Sequence, residues 1–287
     1  MNNAKHAWIY GLLGVLIFSG SLPATRVAVS DFDPVFLTFA RASIAGVVAM
    51  ALLLVLREKR PDKADLLPLA VVVLGVVVGF PLLTALALQH VSSAHSLVFV
   101  GLLPLVTALF GVLRGGERPR RAFWLFSVLG SLFVAGFALA DGLAVSPVGD
   151  LLMLTGVLVC GLGYAEGAKL SKKLGGWQVI SWALVFSLPV MLFMVLVTRP
   201  VSFDGVGLPA WLGLVYVSLF SMLIGFMFWY QGLALGGTAS VGQLQLLQPF
   251  FGLGLAALLL HEEISLAMIL MTAGVMSCVF GARRFAR

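Results

Sequence analysis

The sequence predicts an all-α polytopic membrane protein, with ten transmembrane helices arranged as two inverted five-helix repeats. Three observations carry this expectation. The first is composition: of 287 residues, 61% are hydrophobic and only 10% charged, and the mean hydropathy is +1.09. A soluble domain carries roughly 25% charged residues, so lipid must be the solvent for most of this chain. The second is pattern: the apolar residues come in continuous runs, whereas a β-barrel strand alternates. The third is internal duplication. His95–Glu117 and Ser240–Glu262 both open from a short Ser/Thr/Ala segment, carry a proline mid-run (Pro104 and Pro249) and end on a glutamate (Glu117 and Glu262), all at an offset of 145. Each is followed by another apolar run with a glycine, Gly130 and Gly274. Such an internal repeat is the mark of two homologous halves.

Ten runs approach the roughly 20 residues that a helix needs to cross a hydrocarbon core. They fall near 7–28, 35–56, 66–88, 93–114, 120–140, 149–170, 177–198, 209–231, 238–260 and 264–282. The first lacks an A-x-A cleavage site and is read as a retained helix rather than a signal peptide. With the N-terminus in the cytoplasm, Lys5, Arg57, Lys59, Arg60, Lys63, Arg114, Arg118, Arg120, Arg121, Lys169, Lys172, Lys173, Arg283, Arg284 and Arg287 all lie inside. These are 15 of the 18 basic residues, a bias that predicts both termini to be cytoplasmic. Five spans per half is an odd number, so the second half enters the membrane from the opposite face and the repeats are inverted. The expected halves are 1–143 and 144–287.

Other classes find no support. The net charge of +6 is dealt out to particular loops rather than to one patch, so no nucleic-acid partner is expected. Cys160 and Cys278 sit in apolar runs as small hydrophobes, without disulfide or metal spacing. No HExxH, GxSxG or P-loop occurs, so neither an enzyme, a metal, a cofactor nor an ATP-driven pump is expected.

Certain residues also look familiar. Leu103-Pro104-Leu105-Val106-Thr107-Ala108-Leu109 through Gly116-Glu117, its counterpart Gln248-Pro249-Phe250-Phe251 through His261-Glu262-Glu263, and an arginine in Leu37-Thr38-Phe39-Ala40-Arg41 resemble the drug/metabolite transporter superfamily in its EamA-domain branch. The chain is most similar there to bacterial aromatic amino-acid exporters. It departs from the pattern in the first span, where Phe18-Ser19-Gly20-Ser21 replaces a common Trp-Gly. The resemblance implies that 1–143 and 144–287 are EamA-like repeats, and that a cavity is lined by the first, third, fourth, sixth, eighth and ninth helices. It also implies a multi-pass secondary transporter of the bacterial inner (plasma) membrane that exports small amphipathic metabolites, aromatic amino acids first. A multidrug or other-metabolite exporter, proton-coupled or not, is the alternative. The resemblance favours a monomer, while the small-xxx-small faces Gly75–Gly79 and Gly163–Gly167 leave room for a homodimer.

Candidate machinery follows from what a membrane makes expensive. Polar groups within spans usually face a cavity. Gln243, Gln245 and Gln248 in the ninth span are amides able to bind both ends of a zwitterion, or else to join helices. His95 and Phe99 lie on the fourth span; Phe80, Tyr164 and Ser19 complete the expected substrate-binding set, with lipid-facing packing open for each phenylalanine. Ser19-Gly20-Ser21-Leu22-Pro23 and Cys160-Gly161-Leu162-Gly163 read as matched breaks in the first and sixth spans. Gly20, Pro23, Gly161 and Gly163, with the kinking prolines Pro104 and Pro249, are the expected hinge set. Arg41 either meets a substrate carboxylate, snorkels outward or pairs with Asp31 or Asp33. Glu166 is expected to pair with Lys169 one turn on. Glu117, standing among four arginines, is expected to ion-pair there and to serve a structural or gate-anchoring role rather than substrate contact.

Overall fold

A chain that meets lipid must satisfy its backbone polar groups within itself, which leaves helices or closed barrels. The computed structural model describes residues 2–91, 96, 99–139, 146–252 and 266–286, and these contain helices and no strand. The principal helices are α1 (Asn2–Ser19), α2 (Ser21–Ala28), α3 (Pro34–Val55), α4 (Leu66–Val72), α5 (Phe80–Ala87), α6 (Leu103–Gly115) and α7 (Arg121–Leu139). There follow α8 (Pro147–Leu174), α9 (Gly176–Thr198), α10 (Leu208–Val215), α11 (Phe226–Gly236), α12 (Thr238–Gly242) and α13 (Leu266–Phe285). Six helical stretches among the described residues are long and apolar enough to cross a membrane: Lys5–Ala28, Pro34–Val55, Lys63–Ala87, Pro147–Leu174, Gly176–Thr198 and Leu208–Gly236. Parts of the expected fourth and ninth spans, with His95 and Glu262, lie outside the described residues.

Local chemistry sets the helix ends. The Asp33 carboxylate accepts from the N–H groups of Val35 and Phe36 at 2.8 and 3.0 Å, and Pro34 opens α3 where its missing N–H costs nothing. Ser146 caps α8 the same way, ahead of Pro147. Gly116 closes α6 at φ +68°, a left-handed cap that glycine adopts without strain. In the 56–65 loop, Lys173 donates to Asp62 at 2.8 Å and to Asp65 at 2.7 Å. Its hydrogen bond holds the exposed Asp62 carboxyl below the usual carboxylate range.

Two of the long stretches are not plain α-helix. Val73–Gly79, between α4 and α5, and Tyr216–Gly225, between α10 and α11, are π-helical, and their first residues lie 143 apart. Such widened turns concentrate at functional sites. The sequence expectations for breaks need correction here. The first span does lapse at Gly20, between α1 and α2. The sixth does not: α8 runs unbroken through Cys160-Gly161-Leu162-Gly163. Pro104 and Pro249 do stand where their helical runs change. Pro104 lies in the first turn of α6, and Pro249 in the helical turn that follows the 3-10 segment Gln243–Leu247.

The glycines of α8 serve close packing instead. A Cβ at Gly75 would lie 2.6 Å from the Val159 carbonyl oxygen and 2.9 Å from the Gly163 Cα, so the first π segment touches α8 backbone to backbone. Gly161 meets Val106 in the same manner, and Gly167 abuts the Tyr230 ring. These small-residue faces are therefore filled by neighbours in the same chain. Further packing sets α1 on α11, α3 on α9 and α7 on α13. Trp229, Tyr230, Met222 and Leu184 are buried at the centre, while Leu54, Val55, Leu67, Leu125 and Phe193 point outward as a lipid-facing coat. Gly75→Ala should destabilise the protein by about 1–3 kcal/mol through overpacking. Gly156→Ala, whose new methyl would meet Leu83 and Phe80 at an ordinary 3.5 Å, should be tolerated. Melting temperatures of the two variants in one detergent check the contrast.

Candidate functional site

The departures from regular helix converge on one cavity. Phe18, Ser21, Leu22 and Thr25 reach it from either side of the Gly20 lapse, Val76 from the first π segment and Ser221 from the second. Gln248 enters where the 3-10 segment ends. Arg41 from α3, Phe80, Pro81 and Thr84 from α5, Tyr164 from α8 and Phe226 from α11 complete most of the wall. Water-reachable space is about 50 Å³. At roughly 10–15 Å³ per water, that holds a few waters, and an amino-acid side chain needs the walls to part.

The Gly20 lapse frees carbonyls, and side chains from the other half of the chain take them up. The Tyr216 hydroxyl donates to the Ile17 oxygen at 2.7 Å, and the Gln248 amide donates to the Phe18 oxygen at 3.2 Å. Ser19 turns back to the Val15 oxygen at 2.7 Å. A Cβ at Gly20 would strike the Tyr216 hydroxyl, so this position admits nothing larger than glycine without moving that ring.

Arg41 is 7% exposed. Its Nη2 donates to Ser221 Oγ at a long 3.4 Å, and its Nε has no partner. Ser21 donates to the same Ser221 oxygen at 2.7 Å. Thr84 Oγ1 is buried and also without a partner. No carboxylate pairs with Arg41 among the described residues. The expected partners are used elsewhere: Asp33 caps α3, and Asp31 accepts from the Gly207 N–H at 2.8 Å. Arg41 therefore neither snorkels nor pairs with them; it lines the cavity.

Beneath the cavity lies an aromatic floor. Phe18 packs on Phe226 with centroids 5.0 Å apart, and Tyr164 packs on Phe226 and Trp229 at 5.9 and 5.5 Å. Tyr164 Oη accepts from the Gln245 amide at 3.3 Å, and Tyr230 donates to the Gly163 oxygen at 3.1 Å. Below the floor, two acids fasten the end of the bundle that carries the 56–65 and 114–121 loops. Glu117 accepts from the N–H groups of Thr238 and Ala239 at 2.6 and 2.7 Å, capping the start of α12. Glu166, 1% exposed, pairs with Arg114 at the end of α6 rather than with Lys169. Backbone donors, not the neighbouring arginines, hold the Glu117 carboxylate.

The sequence model of the EamA-like transporter family matches residues 6–139 and again residues 147–283. This chain belongs to that family. It is 66% identical over 287 residues, the full length of both chains, to "Uncharacterized transporter YdeK" of Bacillus subtilis (strain 168). It is 25% identical over 256 residues, covering 87% of this chain and 84% of the relative, to "Probable terminal-alkyne amino-acid exporter" of Streptantibioticus cattleyicolor. A solved crystal structure superposes with a TM-score of 0.80 over 99% of this chain and 98% of its own, at 20% identity, a likeness of fold alone. The protein is thus a multi-pass membrane transporter of the EamA type.

Within this EamA bundle the expected binding residues separate into groups. Phe80, Tyr164 and Gln248 line the cavity. Gln245 lies one layer deeper on Tyr164, and Gln243 donates to Ser127 Oγ on α7 at 3.1 Å, away from the cavity wall. Ser19 is buried beside the lapse but is not a lining residue, and Phe99 packs against the Leu88, Val91 and Met153 cluster. His95 lies outside the described residues. Thr25, Thr84 and Ser221 carry no signal in the sequence, because single hydroxyls in a membrane helix usually bond their own backbone, as Ser218 and Thr38 do here. Glu117→Ala should leave two buried N–H groups without an acceptor, at a cost of about 1–3 kcal/mol, with Glu117→Gln intermediate. Thermal unfolding of the three proteins in one detergent tests this order.

Proposed function

We propose that this protein is a secondary transporter of the bacterial cytoplasmic (inner) membrane that exports small amphipathic metabolites, aromatic amino acids first, by alternating access of two inverted five-helix halves. The observation that carries the reading is the cavity. It lies inside a membrane bundle, has Phe18, Phe80, Tyr164 and Phe226 in its wall, and collects Arg41, Thr84, Ser221 and Gln248 around them. An apolar aromatic wall with few polar groups suits a flat apolar side chain with a polar end.

Several observations support the two-half mechanism. The family model matches each half separately. The π segments recur at an offset of 143, and Pro104 and Pro249 both stand at helix starts beside the cavity. With termini inside, as the charge bias suggests, the cavity belongs to the outer half. Glu117 on α12 and Arg114 on Glu166 then fasten the cytoplasmic end. This conformation would be the one directed outward, and its counterpart would form when those contacts release. Glu166, the buried acid of α8, is committed to Arg114, which supports facilitated diffusion or exchange over proton coupling. The amino-acid reading also agrees with the printed name of the Streptantibioticus relative.

Purified protein in liposomes loaded with labelled tryptophan tests the reading. Saturable efflux, inhibited by phenylalanine and tyrosine and indifferent to a pH gradient, is expected. Absence of flux for every amino acid would move the function to a multidrug or other-metabolite exporter of the same fold. Phe80→Ala should lower tryptophan transport efficiency about tenfold, equivalent to ~1.4 kcal/mol of lost ring contact, at unchanged levels of folded protein.

A further inference from the structure

We propose that Arg41 is the anion-binding end of the cavity, and that the molecule carried must bear a carboxylate, alone or as part of a zwitterion. This rests on reading the cavity as the transport site, and it names the chemistry that site selects. A guanidinium has five N–H donors in a planar fork that fits a carboxylate with two parallel bonds. Here that fork makes one long hydrogen bond, to Ser221, and its Nε has none. Asp31 and Asp33, the acids nearest in sequence, are already held by backbone N–H groups. Compensation for the charge is therefore left to a ligand.

The surrounding hydroxyls have the right polarity. Ser221 Oγ accepts from both Ser21 and Arg41, so its own hydrogen remains to be donated. Thr84 lines the same cavity, and its Oγ1 has no partner. Arg41, Ser221 and Thr84 thus offer donors to one anion, while the aromatic wall takes the apolar remainder. Gln248, held by one amide N–H on the Phe18 oxygen, also has a carbonyl oxygen, which suits an ammonium group.

A consequence follows for the transport cycle. Closing the cavity around nothing buries an uncompensated cation, whereas closing it around a carboxylate buries a neutral pair. The loaded carrier should therefore reorient faster than the empty one, and a counter-substrate on the far side should accelerate flux.

Three probes that share an indole ring test the assignment on the full-length protein in nanodiscs: indole-3-propionate, tryptophan and tryptamine, followed by equilibrium binding. The carboxylate-bearing pair should bind at least about tenfold more tightly than tryptamine. Arg41→Gln should weaken that pair about 10- to 100-fold, the range of a charge-assisted hydrogen bond, and spare tryptamine. Arg41→Lys should restore part of the loss. Tryptamine binding as tightly as indole-3-propionate to the wild-type protein would overturn the proposal even if Arg41→Gln failed to fold. Equal weakening of all three probes by Arg41→Gln, or no binding of either carboxylate, would overturn it as well. Liposome flux separates the two readings. Carboxylate-selective binding without flux would remove the transport reading and leave Arg41 as an anion site. Flux that ignores the carboxylate would remove the Arg41 assignment alone.

Discussion

Backbone hydrogen bonding in a medium without water is the constraint on which the structure depends. Any lapse in a helix inside lipid strands N–H and C=O groups, each at a cost of several kcal/mol if left unpaired. A lapse is therefore stable only where side chains or an enclosed wet space can serve it. Gly20 shows the arrangement: the Ile17 and Phe18 carbonyls beside it are taken by Tyr216 and Gln248, two residues from the distant half of the chain. The helix break and the contact between halves are one feature. The two π segments meet the same constraint, since Val76 and Ser221 turn into the same cavity, and Gln248 enters it just past the 3-10 segment.

Charge follows a parallel logic at the two ends of the bundle. The acids beneath the aromatic floor are matched: Glu117 by two backbone N–H groups, Glu166 by Arg114. A carboxylate at a helix start draws on both the free donors and the helix dipole, so the Glu117 contact is strong yet severable without breaking any helix. The cavity side lacks such matching, because Arg41 lies there with a single long bond. Local charges are matched at the end that carries the 114–121 loop and unmatched at the cavity.

Much of this was legible in the sequence, for identifiable reasons. Helical class and membrane residence follow from hydropathy alone, because lipid allows few alternatives. The Pro104 and Pro249 correspondence is visible as a fixed offset, and both prolines stand where their helical runs change, at the start of α6 and just past the 3-10 segment. The matched break expected in the sixth span is absent from α8. Glycine serves conformational freedom and close approach equally well, and in α8 the neighbours at Val106, Gly75 and Val76 require the second. The π segments carry no composition signal, since a widened turn uses the same apolar residues as an α-turn. Partners of long polar side chains were hidden for another reason. Glu166 has Lys169 close in sequence, yet Arg114 reaches it across a helix interface that only the fold creates.

Arg41 was visible as a charge within a span, and only its surroundings decide among the readings open to it. Had a carboxylate stood within reach, the arginine would be a structural ion pair, and its burial would be explained. Had its head reached the interface, snorkelling would suffice. Instead it is nine-tenths buried, held by one serine and open to a cavity that also contains an unpaired threonine hydroxyl. A folded chain tolerates such an imbalance where something outside the chain completes it, which is why local rules tend to fail at functional sites. The same imbalance would bias the transport cycle, because the state that lacks a ligand is the one that leaves the charge alone.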